Sequence, residues 1–364
     1  MSTTIETQKP VLNLWQLWLK TTIFAGFFLI IFILITVLSA AFFGYRFTNQ
    51  ILAQAGMNYS QVFALLSATD ESLNHVPNNL QILVLGTDEL AERTNQPVLT
   101  DTILALNFDL NSGELNSLSI PRDLWHPDYQ TKVNALYSYG DEYFPGQPEK
   151  FVAQAIDGLT GFSSDVNLVI SLDLLAQLIQ IVDGVEVSIE QGFTDEEFPR
   201  PGVSPTAKDP ELLYKTVVFE PGRQTLDSER ALEYIRSRKS ADPEAGTDTA
   251  RAARQQQVLD ALLVKLTSKS TYYSSEVIGQ LLKLYRAEID QYWPLDQAMA
   301  TGIKFLEKQQ KIQFKQKYLP IYPDIESGLI FHPNPRLYQN QWVFAEKASG
   351  ILKTEVPKIL NLTQ

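Results

Sequence analysis

A long stretch without charge near the start of the chain constrains its fold more than any other feature. Thr22–Phe43 reads TIFAGFFLIIFILITVLSAAFF, 22 residues without a charged side chain. A helix that crosses a hydrocarbon core of about 30 Å needs roughly 20 such residues. Trp15 and Trp18 precede the stretch and Tyr45 follows it, as aromatic residues do at membrane interfaces. A cleaved signal peptide has a shorter apolar region of about 7–15 residues. The sequence therefore predicts a retained transmembrane helix over residues 22–44.

Basic residues near this helix predict its orientation. Lys9, Lys20 and the amino terminus precede the span, whereas Arg46 alone follows it closely. The positive-inside rule then makes residues 1–21 a cytoplasmic tail and places the rest outside the cell. No later stretch of the sequence reaches spanning length. We therefore expect a single-pass plasma-membrane protein with an extracytoplasmic body.

The composition limits the classes of function. With 45% hydrophobic and 11% aromatic residues among 364, the chain can bury a substantial core. A formal net charge of −12 disfavours general nucleic-acid binding, which needs a basic surface. Cysteine is absent, which excludes disulfides, zinc–thiolate sites and cysteine nucleophiles. Only three histidines are present, so a histidine-rich metal site is not expected.

After a polar connector over residues 45–79, short apolar runs alternate with helical patterns. Strands are predicted at 81–86, 102–108, 114–120, 166–170 and 185–189, and helices at 151–159, 173–182 and 250–266. Asn111–Gly113 supplies a hairpin turn, and Asp173 is a candidate helix N-cap. Residues 270–364 hold at least one more helix and several strand-like pieces. Strands that alternate with helices of this length predict an α/β layered domain.

Arginines are concentrated in Tyr234–Gln255. Four of the 12 arginines of this acidic chain lie there, namely Arg236, Arg238, Arg251 and Arg254. Guanidinium groups present a fixed fork of donors that suits phosphate and carboxylate oxygens, so the cluster predicts a dense anionic ligand. The alternative is a solvated helix face whose arginines pair with nearby acids (Asp242, Glu244 and Asp248).

The predicted helix 250–266 carries part of this cluster near its start. Arg251, Gln255 and Val258 are spaced i, i+4 and i+7, which puts them on one helix face. The positive end of the helix dipole would add to anion attraction there. Asp248 is a candidate cap for this helix.

Two acids flank neighbouring predicted strands. Asp88 lies just after strand 81–86 and Asp101 just before strand 102–108. If the strands are adjacent, the carboxylates meet at one sheet edge, where they would hold Mg²⁺ together with water and phosphate oxygens. Alternatively, both acids have turn or capping roles in loops.

Arg122 ends the next strand at a proline-shaped bend, Ser119–Asp123. It is a further candidate for anion binding, with Asp123 and Asp128 as alternative ion-pair partners. His126 follows the same bend, and we expect it to be a structural histidine.

These pieces together resemble the LytR-CpsA-Psr (LCP) family of bacterial cell-envelope phosphotransferases. The matching motifs are LVLGTD (83–88), TDTILALNFD (100–109), LSIPRD (118–123), KVNALYSYG (132–140), VDGVEV (182–187), LDSERALEYIRSRK (226–239) and DTARAARQQQVL (248–259). They occur in the order and at the spacing of the family, over roughly residues 80–266.

The resemblance implies an αβα domain around a mixed central sheet, with an apolar pocket for a lipid. It implies a catalytic domain over residues 80–268, which residues 269–364 complete or extend. Its activity would be the transfer of a polyprenyl-diphosphate-linked glycopolymer, such as a teichoic acid, to a peptidoglycan hydroxyl with the help of Mg²⁺. The products would be a phosphodiester and polyprenyl monophosphate.

The resemblance also implies roles for individual residues. Asp88 and Asp101 would be the Mg²⁺ ligands. The substrate-binding residues would be Arg122, Arg236, Arg238, Arg251, Arg254 and Gln255. The catalytic group would comprise Arg122, Asp101 and Arg251.

This sequence departs from the family pattern in two motifs. The family often has an arginine two residues before the second acid, where this chain has Leu99; Arg93 in the same loop is a candidate replacement. The segment between the two arginine motifs, SADPEAGTD, differs from the commoner form. Leu99 keeps open the alternative of a non-catalytic envelope regulator that binds lipid phosphate. A polyprenyl-diphosphate hydrolase, in which water replaces the sugar hydroxyl at the same site, is the other alternative.

Overall fold

A long helix begins the part of the chain that the computed structural model describes, which is residues 14–88, 97–200, 203, 213–240, 246–308 and 311–362. This helix, α1 (Leu14–Ala55), contains the charge-free stretch. Its described side chains from Phe32 onward form a segment that is long and apolar enough to cross a membrane. Of the helices described, α1 alone meets that criterion of length and composition. The N-terminal helix therefore fits a single-pass membrane anchor.

The helix that contains the predicted membrane span extends beyond residue 44. It continues to Ala55 because no proline or helix-ending turn intervenes, and Gly56 then stops it in a left-handed conformation (φ 63°). A second helix, α2 (Tyr59–Leu73), follows at once. Asn58 and Gln61 form its capping box, each side chain accepting the backbone N–H of the other residue. The predicted polar connector is therefore mostly helical.

The rest of the chain alternates strands and helices. The strands are β1 (Asn79–Thr87), β2 (Thr100–Asp109), β3 (Glu114–Ser119), β4 (Trp125–His126), β5 (Thr131–Lys132), β6 (Val166–Ser171), β7 (Val185–Ile189), β8 (Phe193–Pro199), β9 (Tyr214–Phe219), β10 (Gly222–Leu226), β11 (Gln313–Tyr318), β12 (Ile321–Tyr322), β13 (Ile330–Phe331) and β14 (Ala345–Glu346). The helices after α2 are α3 (Leu136–Tyr143), α4 (Pro148–Thr160), α5 (Leu172–Ile181), α6 (Ser228–Arg236), α7 (Asp248–Leu266), α8 (Lys269–Tyr272), α9 (Ser275–Leu284), α10 (Leu295–Glu307) and α11 (Ile351–Ile359).

Five strands form a mixed central sheet in the order β11-β3-β2-β1-β6. The pairs β1–β2 and β2–β3 are antiparallel, whereas β6 runs parallel to β1 and β11 runs parallel to β3. The predicted hairpin between β2 and β3 is confirmed. Asp109 stabilises its turn by accepting hydrogen bonds from Asn111 N and Ser112 Oγ. Helices cover both faces of the sheet, so the predicted α/β class with a mixed central sheet is also confirmed.

The alternation of side chains along β1 separates the two faces of the sheet. Leu83 and Leu85 point into the main core, which α3, α4 and α11 cover on one face. Val84 and Gly86 point to the opposite face, where the candidate site lies. One strand thus serves both the core and the site.

The C-terminal part of the chain belongs to the same fold. Strand β11 pairs with β3 at the sheet edge, and Leu352 and Val356 of α11 are fully buried in the main core. The short strands β12, β13 and β14 confirm the strand-like pieces predicted there. β11 itself was missed, because QFKQKY is polar and mostly exposed, without an apolar run.

Two predicted helix caps are wrong by a small shift in register. Helix α5 begins at Leu172, and Ser171 Oγ, not Asp173, accepts the N–H of Leu174 as its N-cap. Helix α7 begins at Asp248, and its N-cap is Thr247, whose Oγ1 accepts the N–H of Ala250. In both cases a hydroxyl one position before the helix takes the capping role.

Candidate functional site

A cavity of about 420 Å³ lies on the face of the sheet opposite the main core, beside the C-terminal ends of β1 and β6. Its apolar wall consists of Val84, Leu104, Ile170, Leu172, Leu175, Pro199, Ile235 and Leu259. Its polar and charged wall includes Asp88, Asp101, Asp195, Glu197, Arg236, Arg238, Lys239, Arg251 and Gln255. The cavity therefore combines an apolar wall with a cluster of basic side chains. Such a cavity suits a ligand that has both a hydrocarbon part and a dense anionic group.

The paired strands β1 and β2 bring the two predicted acids to this cavity. Gly86 pairs with Thr102 and Thr87 with Thr100, and Asp101 is the extra residue in the bulge between these two pairs. Asp88 directly follows Thr87, so both acids lie at the same end of the β1–β2 pair. The strands approach very closely here. A Cβ on Gly86 would lie 2.8 Å from Cβ of Thr102, a distance that no real pair of such atoms adopts. Glycine at position 86 is thus required by the packing beside the site.

Asp88 fixes the end of the loop that joins β1 to β2. Its N–H donates to Leu99 O at 3.1 Å, and its Oδ1 accepts from Leu99 N at 3.0 Å. Leu99, which stands where the family often has arginine, therefore contributes its backbone to the site. Arg93, the candidate replacement, lies outside the described residues.

Asp101 and Arg122 form an ion pair beside the cavity. Arg122 Nη1 lies 2.6 Å from Asp101 Oδ1, and Arg122 Nε lies 3.4 Å from Asp123 Oδ2. Lys132 Nζ holds Asp123 at 2.6 Å. Arg122 was predicted to bind substrate, but of these two residues Asp101 alone is among the described residues that line the cavity. The structure thus connects Arg122 to the cavity through its ion pair with Asp101. Asp123 is engaged by two cations, which gives it a structural role.

Arg236 and Arg238 come from the end of α6 and the extended segment that follows. Ser237 ends α6 with extended backbone (ψ 130°), which sends the next residues along the cavity. The Cζ atom of Arg236 lies 5.4 Å from the ring centre of Phe198. Both arginines line the cavity, as does Lys239, which sequence reasoning did not select although it belongs to the same motif.

Asp195 is a site residue that the sequence did not reveal. Its side chain is almost fully buried (1% exposed), and its Oδ2 accepts from the N–H groups of Arg238 and Lys239 at 2.9 and 3.2 Å. Its Oδ1 accepts from Glu197 N at 3.1 Å. Asp195 thus holds the arginine-bearing segment against β8. No sequence signal identified it, because Asp195 is one of three consecutive acids, Asp195–Glu197, and nothing in the sequence distinguishes it from the other two.

Arg251 and Gln255 project into the cavity from the first turns of α7, one helical turn apart, as their spacing predicted. Arg251 is buried, with 8% of its surface exposed. A cation so far removed from water does not belong to a solvated helix face, so that alternative is wrong for Arg251. Asp242 and Glu244, the acids it invoked, lie outside the described residues.

Arg254 points away from the cavity, in contrast to its predicted role in substrate binding. Its Nε donates to Tyr234 O at 2.9 Å and its Nη2 to Ser237 O at 2.6 Å. Its Cζ lies 4.7 Å from the ring centre of Phe193, and burial lowers its pKa. These contacts tie α7 to the end of α6. Arg254 therefore has the environment of a structural residue that holds the two arginine motifs together.

His126 and Tyr234, which lie next to the candidate motifs in sequence, have structural contacts. His126 is buried, its Nε2 lies 3.1 Å from Ala155 O, and burial lowers its pKa. Tyr234 packs against Phe193 and Phe219, and its hydroxyl donates to Gln257. Burial raises the pKa of Tyr234, which keeps the phenol neutral.

The residues present can supply part of a divalent-cation site. Asp88 and Asp101 both line the cavity, and carboxylate oxygens are ligands that Mg²⁺ prefers. One oxygen of each already accepts a hydrogen bond, from Leu99 N and from Arg122 Nη1. Within the described parts of the chain, no group of three or more His, Asp or Glu side chains could hold a metal ion. The pair therefore fits a cation only if phosphate and water oxygens supply the other ligands.

A family model and curated relatives match most of this fold. The model of the LytR_cpsA_psr family matches residues 50–340. The chain is 24% identical over 256 residues to the polyisoprenyl-teichoic acid–peptidoglycan teichoic acid transferase TagV of Bacillus subtilis, covering 64% of this chain and 60% of that protein. It is 28% identical over 206 residues to TagU of Oceanobacillus iheyensis, a protein with the same transferase description, covering 56% of each chain. The chain thus spans under two thirds of the length of these relatives.

A solved structure shares the fold. The crystal structure of protein gbs0355 from Streptococcus agalactiae superimposes with a TM-score of 0.52 and 20% sequence identity, over 82% of this chain and 91% of that one. At that identity the similarity concerns the fold alone.

Proposed function

The chain belongs to the LytR_cpsA_psr family, and from that premise we propose that it transfers a polyprenyl-diphosphate-linked glycopolymer to a hydroxyl of peptidoglycan. The observation that carries this proposal is the cavity, in which an apolar wall adjoins Arg236, Arg238 and Arg251. A polyprenyl diphosphate has both matching parts, a long hydrocarbon chain and a dense anion. The transferase descriptions of the relatives support the same class of substrate.

The reaction would form one bond to phosphorus and break one. The acceptor hydroxyl oxygen attacks the phosphorus that bears the glycan, and the bond from that phosphorus to the bridging oxygen breaks. The hydroxyl proton is released, the glycan becomes linked through a phosphodiester, and polyprenyl monophosphate leaves. Phosphoryl transfer of this kind depends mainly on positioning and charge neutralisation. Arg236, Arg238 and Arg251 would neutralise the diphosphate, while Asp195 keeps the segment that carries Arg238 in place.

We propose catalytic roles for Asp101 and Arg251 and a positioning role for Arg122. Arg251 would contact the diphosphate from a buried position, where a charge–charge interaction is stronger than in water. Arg122 would orient Asp101 through their ion pair. Gln255, one turn from Arg251, would donate to a phosphate or glycan oxygen.

Mg²⁺ is proposed as the cofactor, with Asp88 and Asp101 as its protein ligands. When bound, the ion would neutralise charge on the diphosphate oxygens. The test uses Mn²⁺ as a spectroscopic substitute, because its paramagnetic resonance reports binding without turnover. The full-length protein in vesicles with a prenyl diphosphate should bind Mn²⁺, and Asp88→Asn should weaken that binding at least tenfold. Equal binding by the variant, or a reaction rate that a chelator does not alter, would exclude these ligands.

We also propose that the N-terminus is cytoplasmic and the body extracytoplasmic. The anchor α1 fits a single span, and the basic residues before it favour this orientation. Peptidoglycan lies on that side of the membrane, so the orientation and the acceptor are consistent. A membrane-impermeant reagent should modify a cysteine introduced at Asn340 in intact cells.

The decisive experiment supplies full-length protein in vesicles with a prenyl-diphosphate-linked glycan, Mg²⁺ and a peptidoglycan fragment. A transferase yields a glycan–peptidoglycan phosphodiester together with prenyl monophosphate. A hydrolase yields prenyl monophosphate and free glycan phosphate in equal amounts whether or not the fragment is present. A non-catalytic regulator binds the lipid and yields neither product. We expect the phosphodiester, and either of the other results would reject the proposal.

A further inference from the structure

Apolar and aromatic side chains are exposed together where α7 ends and α8 follows. We call Leu263, Val264, Tyr272 and Tyr273 the tyrosine patch. Val264 is 70% exposed and Tyr273 73% exposed. Lys265 and Lys269 lie in sequence between Val264 and Tyr272 of the patch. Large apolar side chains grouped on a surface indicate a contact with another molecule or a membrane.

The helix that follows the patch, α9, packs directly against the last turns of the membrane anchor. A Cβ on Gly279 would lie 2.5 Å from Cβ of Gln54 and 2.9 Å from the carbonyl oxygen of Ile51. The two helices are thus in backbone contact, and glycine permits that contact. Leu52 and Ala55 on the same part of α1 are buried. The body is therefore fixed to the anchor at this point.

The direction of α9 determines the height of the patch relative to the anchor. Gly279 contacts Ile51 and Gln54, and Arg286 Nη1, in the π-helical turn Tyr285–Ile289 that continues α9, donates to Ala55 O at 3.3 Å. The contacts advance in the same sense on both helices, so α9 runs in the direction of α1. The start of α9 lies four residues before Gly279, which is about 6 Å nearer the charge-free stretch.

That displacement brings the patch to the end of the membrane span. Gly279 lies beside Ile51 and Gln54, so the start of α9 lies beside the part of α1 four residues earlier, at residues 47–50. The patch tyrosines come immediately before the start of α9. The charge-free stretch ends at Phe43, and Tyr45 and Arg46 follow it. The tyrosines of the patch therefore lie within about two helical turns of Tyr45 along α1. Tyrosine is the residue type enriched at the membrane–water interface, because one end of its side chain is apolar and the other is polar.

We infer that the tyrosine patch contacts the surface of the membrane in which α1 is inserted. The rings of Tyr272 and Tyr273 lie at the level of the lipid headgroups, with Val264 reaching toward the acyl chains. Lys265 and Lys269 contact anionic headgroups. The body thus rests on the bilayer at two places, α1 and the patch, rather than rotating on the anchor alone.

This contact sets the position of the cavity relative to the lipid surface. Helix α7 carries Arg251 of the cavity and Val264 of the patch, 13 residues or about 20 Å apart along the helix. Leu259 of the apolar wall lies between them. The inference does not depend on the proposed reaction, because it rests on α1, α9 and the patch.

The absence of cysteine makes the contact directly measurable. Single variants Val264→Cys and Tyr273→Cys of the full-length protein would carry a fluorescent bimane label in vesicles of phosphatidylcholine and phosphatidylglycerol. Leu337→Cys is the matched control, because Leu337 is apolar and 78% exposed, and its neighbour Tyr338 packs against Trp125 of β4. Phosphatidylcholine with a doxyl group near the headgroup quenches fluorophores at the interface. We expect quenching at 264 and 273 to exceed that at 337 at least twofold. Equal quenching at the three positions would overturn the inference.

A second measurement tests the charge of the contact. Omitting phosphatidylglycerol should reduce quenching at 273 at least twofold in the otherwise native chain. In the double variant Lys265→Glu/Lys269→Glu, quenching should already be low and should not respond to phosphatidylglycerol. A response equal in both proteins would exclude the lysines as headgroup ligands. Circular dichroism of each labelled protein verifies folding, and Tyr272→Cys replaces any variant that fails this check.

Discussion

Arg122 and Asp101 lie 2.6 Å apart between Nη1 and Oδ1, and this pair joins the bend after β3 to the acidic edge of β2. Both side chains are about a quarter exposed, at 22% and 28%. Exposed pairs of this kind add at most about 1 kcal/mol to stability. The pair is therefore better explained by the position that it gives to Asp101, which is part of the cavity wall.

Replacing Arg122 with alanine should remove most activity without unfolding the protein. Loss of an oriented charge in a phosphoryl-transfer site typically lowers turnover about 100-fold or more. Arg122→Ala and Asp101→Asn should both show this loss, while the midpoint of thermal unfolding changes by only a few degrees. Transfer assays and calorimetry on the same samples check the prediction.

The matched control for Arg122→Ala is Arg223→Ala. Arg223 also pairs with an acid, Glu186, but its side chain is 77% exposed and lies on β10, away from the cavity. Its removal should leave activity within about twofold of the native chain. A similar loss in both variants would mean that Arg122 affects activity only through general stability.

Asp195 should be required for the position of Arg238. Asp195→Ala removes the acceptor of three partly buried backbone N–H groups, and losing hydrogen bonds of this kind costs about 0.5–1.5 kcal/mol each. We expect a lower free energy of unfolding in urea. We also expect the KM for the lipid substrate to rise about tenfold, which corresponds to about 1.4 kcal/mol of lost binding. Glu196→Ala, an exposed neighbour, is the control and should change neither quantity. An unchanged KM in Asp195→Ala would contradict this positioning role.

Gly86 should not tolerate even a methyl group. The new Cβ would meet Thr102 across the β1–β2 pair, and overpacking of this kind costs about 1–3 kcal/mol. Because the strain falls beside Asp88 and Asp101, activity should decrease together with stability. Gly302→Ala is the control, since its Cβ meets nothing within 4 Å and alanine favours the helix by about 0.5–1 kcal/mol. Opposite changes in the midpoint of unfolding are expected for the two variants, and a stabilising Gly86→Ala would refute the close approach.

His126 should make stability depend on pH near neutrality. Burial lowers its pKa below the usual 6.5, so the unfolded chain binds its proton more readily than the folded chain. Stability contributed by neutral His126 is therefore present at pH values above 6.5 and is lost as the pH falls below 6.5 toward the lowered pKa of the folded state. Urea unfolding of His126→Gln should give a lower stability that varies less over this range. Parallel pH profiles for the two proteins would show that other groups cause the dependence.

Patterns of the sequence predicted much of the sheet and part of the site. β1, β2 and β6 are apolar runs whose neighbours are turns, and such runs form strands because they can be buried on both faces. Arg251 and Gln255 were placed together correctly because one helical turn separates them. The motifs of the family supplied the roles of Arg236 and Arg238, which spacing alone did not distinguish.

Other features depend on tertiary structure and were not predictable from local pattern. β11 is polar because it lies at the sheet edge, so no apolar run marks it. Arg254 and Arg251 are both arginines of the same motif, yet Arg254 donates to the backbone oxygens Tyr234 O and Ser237 O at the end of α6. Asp195 acquires its role from the distant segment 238–240, which folds back against β8. These three outcomes are determined by packing partners far away in the sequence.

The central claim, that the cavity holds a lipid diphosphate, is tested most directly by photocrosslinking. A prenyl diphosphate with a diazirine midway along its chain would be incorporated into vesicles with the full-length protein, irradiated, and the attachment sites determined by mass spectrometry. The account predicts attachment to peptides of the apolar wall that contain Ile170, Leu175 and Leu259, reduced at least tenfold by Arg251→Ala. Attachment confined to α1, or unchanged by Arg251→Ala, would contradict it.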